Sequence, residues 1–235
     1  MYLIYRDVNE AFWKLNKLFQ QSYPEIEEQD TRNGKVLSIT EPVLITYEHP
    51  TSRVLMDTGR NCNPFFHLFE SIWMLAGSDS LEPLQYLVST LHGAYGYRWR
   101  HQFGYDQLQL IADELRENPN TRRCVLQMWD ASCEEQVKPE GKRHDLYMAT
   151  NGGKDVPCNT SINFRVVNNK LDMTINNRSN DMIWGLLGAN YVHMSYLLEY
   201  MAVRSGYQVG RMHVCTTNLH AYEWNWQPET HTMSG

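Results

Sequence analysis

The runs TSINFRVV (160–167) and KLDMTINN (170–177) are separated by nothing but Asn168 and Asn169. Two such runs joined by an Asn-rich link read as a strand pair with a tight turn, because asparagine tolerates the backbone conformations that short turns need. Part of the chain is therefore committed to a sheet, and the rest must pack on it. The segment GANYVHMSYLLEYMAVRSG (188–206) reads as a long apolar helix with Gly206 as its stop signal. Residues 64–76, PFFHLFESIWMLA, are apolar nearly all round apart from His67, Glu70 and Ser71, and Pro64 suits a first helical turn. Residues 7–20 put Val8, Phe12, Leu15 and Leu18 or Phe19 on one helical face, ahead of a polar loop containing Arg32. Residues 105–117 turn Leu108, Ile111, Ala112 and Leu115 inward, and ENPNT ends them.

The segment CVLQMWD reads as a further strand, 137–155 as an exposed loop rich in Gly, Lys and Asp, and RMHVCTTNLHAY as a final strand. Helices and strands mix without βαβ alternation or internal repeat, which predicts an α+β or mixed-sheet fold in a single domain over 1–235. With 42% hydrophobic and 20% charged residues the chain is a packed globule rather than a disordered one. Its net charge of −6 repels nucleic acid, so neither DNA nor RNA is an expected partner. No apolar run reaches the roughly 18 residues of a membrane span. Cys62, Cys124, Cys133, Cys158 and Cys215 are odd in number and form no CxxC pair, which argues against a disulfide framework or a zinc site and for a cytoplasmic protein with reduced thiols.

Cys158 is the cysteine best placed for chemistry. It follows Pro157 at a loop-to-strand junction, and its thiolate would be a nucleophile if donor or cationic neighbours favoured it. The alternative is a buried packing cysteine, which remains the reading for Cys62, Cys124, Cys133 and Cys215. Glu70 is either exposed on a narrow polar stripe or buried with a raised pKa. Arg122, Arg123 and Arg178, the last followed by Ser179, flank strands where their forked groups could bind a phosphate or simply be solvated.

The segments TRNGK, FESIWMLAGS, GAYGYRWR, NPNTRRCVLQMWD, VPCNTSINF, NNRSNDMIWG, the helix from Asn190 and NLHAY occur in one order. In that order the chain resembles thymidylate synthases and the related pyrimidine-nucleotide hydroxymethylases over nearly all its length. The resemblance implies a thymidylate synthase-like α+β fold, with a mixed sheet packed by helices and dimerisation through the sheet. It implies a homodimer binding a pyrimidine deoxynucleotide, with 5,10-methylenetetrahydrofolate as co-substrate and no metal.

By the same resemblance Cys158 is the nucleophile that adds to C6 of the nucleotide, and C5 then attacks the one-carbon unit. Glu70 organises water and proton transfer, and Tyr95 stands beside the water that removes the C5 proton. Arg32, Arg178 and Ser179 hold the phosphate from one subunit, while Arg122 and Arg123 reach across the interface to the partner's phosphate site. His220 and Tyr222 bind the deoxyribose hydroxyl, and Asp181 binds the pterin with Gly185 allowing close approach. Trp73 and Trp99 are core packing.

Two departures bear on the product. The synthases follow the nucleophile with histidine, whereas Asn159 stands here, and SDSLEPLQYLVSTLHGA lacks the tryptophan that they carry over the reacting carbon. Both point to a wetter site, in which an exocyclic methylene intermediate accepts hydroxide rather than hydride. The end of the sequence at Gly235, without the segment that closes over the folate, points the same way. Asn190 matches the amide that pairs with uracil, where an aspartate would suit cytosine. Five positions separate Gly185 from Asn190 where the family has four, so LLGA must absorb one residue.

The expectation is dUMP 5-hydroxymethylation of the kind encoded by viruses that replace thymine. The alternatives are thymidylate synthesis and then dCMP hydroxymethylation. A nucleotide- or RNA-binding module would have no need of both Cys158 and Glu70, and His213 and His220 lack a third clustered metal ligand.

Overall fold

The computed structural model describes residues 1–19, 25–31, 33–60, 62–80, 95–130, 145–150, 156–223, 226–227 and 232–233. In chain order the elements are β1 (Tyr2–Tyr5), α1 (Val8–Phe19), β2 (Ile26–Thr31), β3 (Gly34–Ile39), β4 (Val43–Tyr47), a 3-10 turn (Thr58–Arg60), α2 (Pro64–Leu75), α3 (Tyr95–Arg100), α4 (Gln107–Glu117) and β5 (Val125–Gln127). They continue through α5 (Asp145–Thr150), β6 (Asn159–Val167), β7 (Lys170–Asn177), β8 (Asn180–Asp181), a π-helical turn (Met182–Leu186), α6 (Ala189–Ser205), β9 (Gln208–Thr216), β10 (Leu219–Tyr222), β11 (Trp226–Gln227) and β12 (Thr232–Met233).

A six-stranded mixed sheet, in the order β1-β4-β9-β7-β6-β5, carries the core, and β2-β3-β10-β8 form a smaller sheet. This is the α+β architecture expected. The β6–β7 hairpin turns at Asn168 and Asn169, both in the left-handed region at φ 49° and 60°, as a two-residue turn between twisted strands requires. Alternation then buries Ile162 and Phe164 of β6 against Leu171, Met173 and Ile175 of β7. Ser161, Asn163, Asp172, Thr174 and Asn176 stand half-buried on the opposite face.

α6 closes the core. Leu197, Leu198, Met201 and Ala202 are fully buried, and Gly206 at φ 83° ends the helix in a conformation that a side chain would strain. Asn63 caps α2 by accepting from the amides of Phe65 and Phe66, with Pro64 in the first turn. Trp73 and Trp99 are buried, as core packing demands, with Trp99 fully enclosed.

Three segments differ from expectation, each for a physical reason. Residues 26–31, expected within a loop, form the edge strand β2. Neither of its faces is buried, so it has no hydrophobic period and is held by pairing with β3. The sequence from Arg211 to Tyr222 is two strands, because the chain bends at Thr217–Asn218 and passes from the large sheet to the small one. The described part of the expected 137–155 loop is the helix α5. Its Asp145 is buried and bound bidentately by Arg98 at 2.7 and 2.9 Å.

Candidate active site

Cys158 stands half-buried just before β6. Arg178, at the far end of the hairpin partner β7, folds back over the segment that leads into it. Its Nε donates to the Pro157 carbonyl and Nη2 to that of Val156, each at 3.0 Å, and Nη2 lies 3.9 Å from Cys158 Sγ. The Trp129 indole N–H also donates to the Pro157 carbonyl at 3.0 Å, and the guanidinium lies 5.9 Å from its ring centroid. A cation fixed beside a thiol favours the thiolate, which is the nucleophilic form. Two of the three guanidinium nitrogens are thereby tied to the chain, so Arg178 is set as much to shape the Cys158 segment as to grip an anion.

Tyr95 opens α3 and comes up against Cys158. Burial pushes its hydroxyl to about 12, with the Cys158 charge adding to the rise and the backbone amides of Asn159 and Cys158 opposing it. It is held there because α3 lies backbone to backbone on the end of α2. A Cβ at Gly96 would fall 1.9 Å from the Met74 carbonyl oxygen, so only glycine permits the approach. One turn on, Arg98 binds Asp145 and the Met128 carbonyl and locks α3 to the end of β5.

Tyr95, Asn159, Asn177, Asn180, Gly185 and Asn190 line one cleft of about 330 Å³, with Ile175, Met194, Met212 and Val214 as its apolar floor. Asn159 Nδ2 donates to Asn177 Oδ1 at 3.2 Å, while its own buried Oδ1 has no partner among the described residues. Gly185 serves Asn180 before any ligand, since a Cβ there would sit 1.9 Å from Asn180 Oδ1. A π turn at Met182–Leu186 leads towards Asn190. Leu187 N–H donates to the Met182 carbonyl at 3.0 Å, and the Tyr47 hydroxyl donates to Leu186 O at 3.1 Å. Such turns take up single insertions and recur at functional sites.

Ser179, Asp181, His220 and Tyr222 gather where β10 runs beside β8, His220 opposite Asp181. Ser179 Oγ lies 3.4 Å from His220 Nδ1, and the His220 and Tyr222 rings meet edge-on at 5.4 Å. Burial raises the Asp181 pKa and lowers that of His220, so both neutral forms are favoured. Asp181 Oδ1 caps the π turn at Trp184 N–H, and its buried Oδ2 has no partner among the described residues.

Glu70 is buried rather than exposed on a polar stripe. Its Oε2 lies 2.8 Å from Nε2 of His193 on α6, an equally buried residue whose signal in the sequence was the same, a polar group in an apolar helix. His67, one turn earlier on α2, is pushed below the usual histidine range by burial and by His193, with Arg60 adding to this. Arg60 is itself buried. Its Nη2 donates to the Ile183 carbonyl at 3.3 Å, and Nε and Nη1 have no partner among the described residues. Arg122 and Arg123 are exposed before the edge strand β5, and Arg32, Cys133 and most of the tryptophan-free stretch lie outside the described residues. Among the described residues no group of three His, Cys, Asp or Glu side chains is placed to hold a metal ion, and no helix is long and apolar enough to cross a membrane.

Residues 26–233 match the family model of thymidylate synthase. The chain belongs to the thymidylate synthase family. It is 43% identical over 217 residues to the deoxyuridylate hydroxymethyltransferase of Pseudomonas phage M6, covering 88% of this chain and 58% of that protein. To the deoxyuridylate hydroxymethyltransferase of Bacillus phage SP01 it is 34% identical over 209 residues, 80% of this chain and 51% of that one. A putative thymidylate synthase of Methanosarcina mazei is 24% identical over 208 residues, 88% and 83% of the two chains. The chain thus spans little more than half the length of the two phage relatives, and its end at Gly235 says nothing about a lid.

Proposed function

We propose that this chain, acting as one catalytic domain over residues 1–235, transfers a one-carbon unit from methylenetetrahydrofolate to C5 of dUMP and completes it with water to give 5-hydroxymethyl-dUMP. The observation that carries this reading is the amide-walled cleft beside Cys158. Asn190, Asn177, Asn180 and Asn159 are uncharged and can each donate and accept, as a neutral uracil edge requires. The names of the phage relatives, deoxyuridylate hydroxymethyltransferase, agree with it.

In this reading Cys158 Sγ adds to C6, and the C5=C6 electron pair moves into C5–C4=O. C5 then forms its bond to the one-carbon unit and loses its proton, with Tyr95 ordering the water that takes it, and the bond from that carbon to the folate nitrogen breaks to release tetrahydrofolate. Water adds to the exocyclic methylene so formed, and expulsion of Cys158 restores the C5=C6 bond. Methylenetetrahydrofolate supplies the carbon at the methylene oxidation level. The Oδ2 of Asp181, which has no partner among the described residues, suits a ring N–H donor of the pterin. Ser179, Arg178 and Arg32 take the phosphate, and His220 and Tyr222 the deoxyribose hydroxyl.

The chain acts as a homodimer in this reading. The polar face of the large sheet, opposite the helices, meets its copy, and the exposed Arg122 and Arg123 reach the partner's phosphate site. Free thiols at Cys62, Cys124, Cys158 and Cys215 suit a reducing cytoplasm.

Mass spectrometry of the products from dUMP and from dCMP, each with methylenetetrahydrofolate, tests the reading. The expected product is 5-hydroxymethyl-dUMP, one oxygen heavier than dTMP, with tetrahydrofolate released. dTMP with stoichiometric dihydrofolate would make the chain a thymidylate synthase, and product from dCMP alone would make it a cytosine-nucleotide hydroxymethylase.

A further inference from the structure

The described residues that line the cleft carry no group that titrates near neutral pH. Tyr95 and Tyr191 are both pushed up by burial, Tyr95 to about 12, and the remaining polar side chains are amides. Yet hydroxymethylation at C5 moves protons twice, once from C5 and once from the water that becomes the hydroxyl. An acid–base group matched to neutral pH is needed within reach.

A carboxylate and an imidazole, Glu70 and His193, meet behind the cleft wall. His193 lies one turn along α6 from Asn190 and next to Met194, both of which line the cleft. Its Nε2 is 2.8 Å from Glu70 Oε2, and both residues are nearly inaccessible, at 3% and 6% exposure. An ionised carboxylate only accepts, so Nε2 carries the hydrogen of that bond and Nδ1 is left as a bare lone pair. Nδ1 is buried and has no partner among the described residues. A histidine kept for packing alone has its ring nitrogens satisfied; one buried nitrogen left open calls for a functional account or a bound water. Among the described residues, His67 on α2 and Arg60 in the 3-10 turn are ionisable groups in the same surroundings. Burial lowers the His67 pKa, with His193 and Arg60 adding to this and Glu70 opposing it.

We propose that His193 is a positioning residue for Glu70: it holds the carboxylate by Oε2 so that Oε1 meets the reaction water, and the pair together takes up the proton which that water loses. In the step itself the water oxygen bonds to the exocyclic methylene carbon and its proton goes to Glu70. The C5=CH2 electron pair moves into C5–C4=O, then returns to form C5=C6 as the C6–S bond breaks and Cys158 leaves as thiolate. The proton passes from the pair to solvent. This inference rests on the hydroxymethylase reading.

The test follows tritium release from [5-3H]dUMP, which C5 substitution requires whatever the final product, together with 5-hydroxymethyl-dUMP formation between pH 5 and 9. It compares the wild type with His193→Leu and His193→Gln. His193→Leu should lower kcat roughly 10²- to 10⁴-fold, the range of a lost acid–base contribution, with KM for dUMP changed less than about threefold. In His193→Gln an amide N–H can replace the Nε2 donor. This variant should recover at least about tenfold of that loss, with a pH profile that differs from that of the wild type because an amide replaces a side chain able to take up a proton.

A folded His193→Gln enzyme with the wild-type kcat and pH profile would overturn the inference. So would a Gln variant no better than Leu in which kcat falls only with loss of dUMP binding and thermal stability. dTMP as the wild-type product with tritium released would remove the hydroxymethylase reading and with it the water step assigned to the pair. No tritium release from dUMP by the wild type would remove both as well.

Discussion

At Asn190, α6 faces a cleft walled by Asn159, Asn177, Asn180 and Tyr95; at His193, one turn on, it faces Glu70 with His67 nearby. The pair is buried and the cleft residues Tyr95, Asn177 and Asn190 are half-buried, and the two regions are built from opposite materials. Amides neither gain nor lose protons, so a base bound by them is recognised identically across the pH range of the cell. A carboxylate paired with an imidazole does the reverse, because its hydrogen-bonding character changes with each proton taken up. Keeping the two apart lets the chain move protons without altering what it recognises. The separation also follows from packing. The amide wall is assembled from β6, β7, β8 and the start of α6, while the ionisable pair joins α2 to the next turn of α6.

The sharpest way to divide recognition from chemistry is at Cys158. In Cys158→Ala turnover should fall by roughly 10⁴-fold or more, the scale of a lost covalent nucleophile, while the Kd for dUMP stays within about threefold because the amide wall is untouched. Isothermal titration beside a turnover assay reads both. Mixing this variant with Arg122→Ala should restore part of the activity if one heterodimer site has both parts intact. Substantial turnover by the folded Cys158→Ala protein would merge the two functions and end the comparison.

A second contrast concerns stability. Asp145 and Arg98 form a buried ion pair that fixes α3, and hence Tyr95, at the edge of the cleft. Asp145→Ala leaves the guanidinium buried without its carboxylate, which costs about 3–5 kcal/mol. Asn177→Ala removes one amide from the wall and should cost only about 0.5–1.5 kcal/mol, the net worth of a neutral hydrogen bond. Urea unfolding monitored by tryptophan fluorescence compares the two. Equal losses would mean that the amide wall is as much a structural device as the ion pair.

What was legible in the residues divides along similar lines. α1, α2, α4 and α6 were readable because an apolar face or an apolar run survives any tertiary context, and the Asn168–Asn169 turn announced β6 and β7. β2 was not, since both of its faces are wet. Nor was α5, whose buried anchor, Asp145, depends on an arginine 47 residues earlier. The break at Thr217–Asn218 was invisible because each half is strand-like and only the assembled sheets show that they part. Cys158 and Asn190 could be singled out through their motifs, but His193 could not. A polar residue in an apolar helix names no partner until α2 is laid against α6.

The smallest expected effect lies inside the amide wall and probes the comparison most directly. Asn190→Asp places an ionisable group among the amides, one turn from the Glu70–His193 pair. An amide offers a donor and an acceptor to uracil, whereas a carboxylate only accepts and suits the exocyclic amine of cytosine. The group left unpaired against the wrong base costs about 1–3 kcal/mol, roughly a 5- to 150-fold shift in the ratio of kcat/KM for dUMP over dCMP. Because the new carboxylate titrates, that ratio should also acquire a pH dependence that the wild type lacks: protonated at low pH, the side chain regains a donor and part of the dUMP preference returns. Competition assays with both nucleotides at pH 5.5 and 8 measure it. A preference that neither shifts nor follows pH would mean that the π turn at Met182–Leu186 delivers a different residue to the base, and that the amide of Asn190 belongs to the wall without reading the nucleotide.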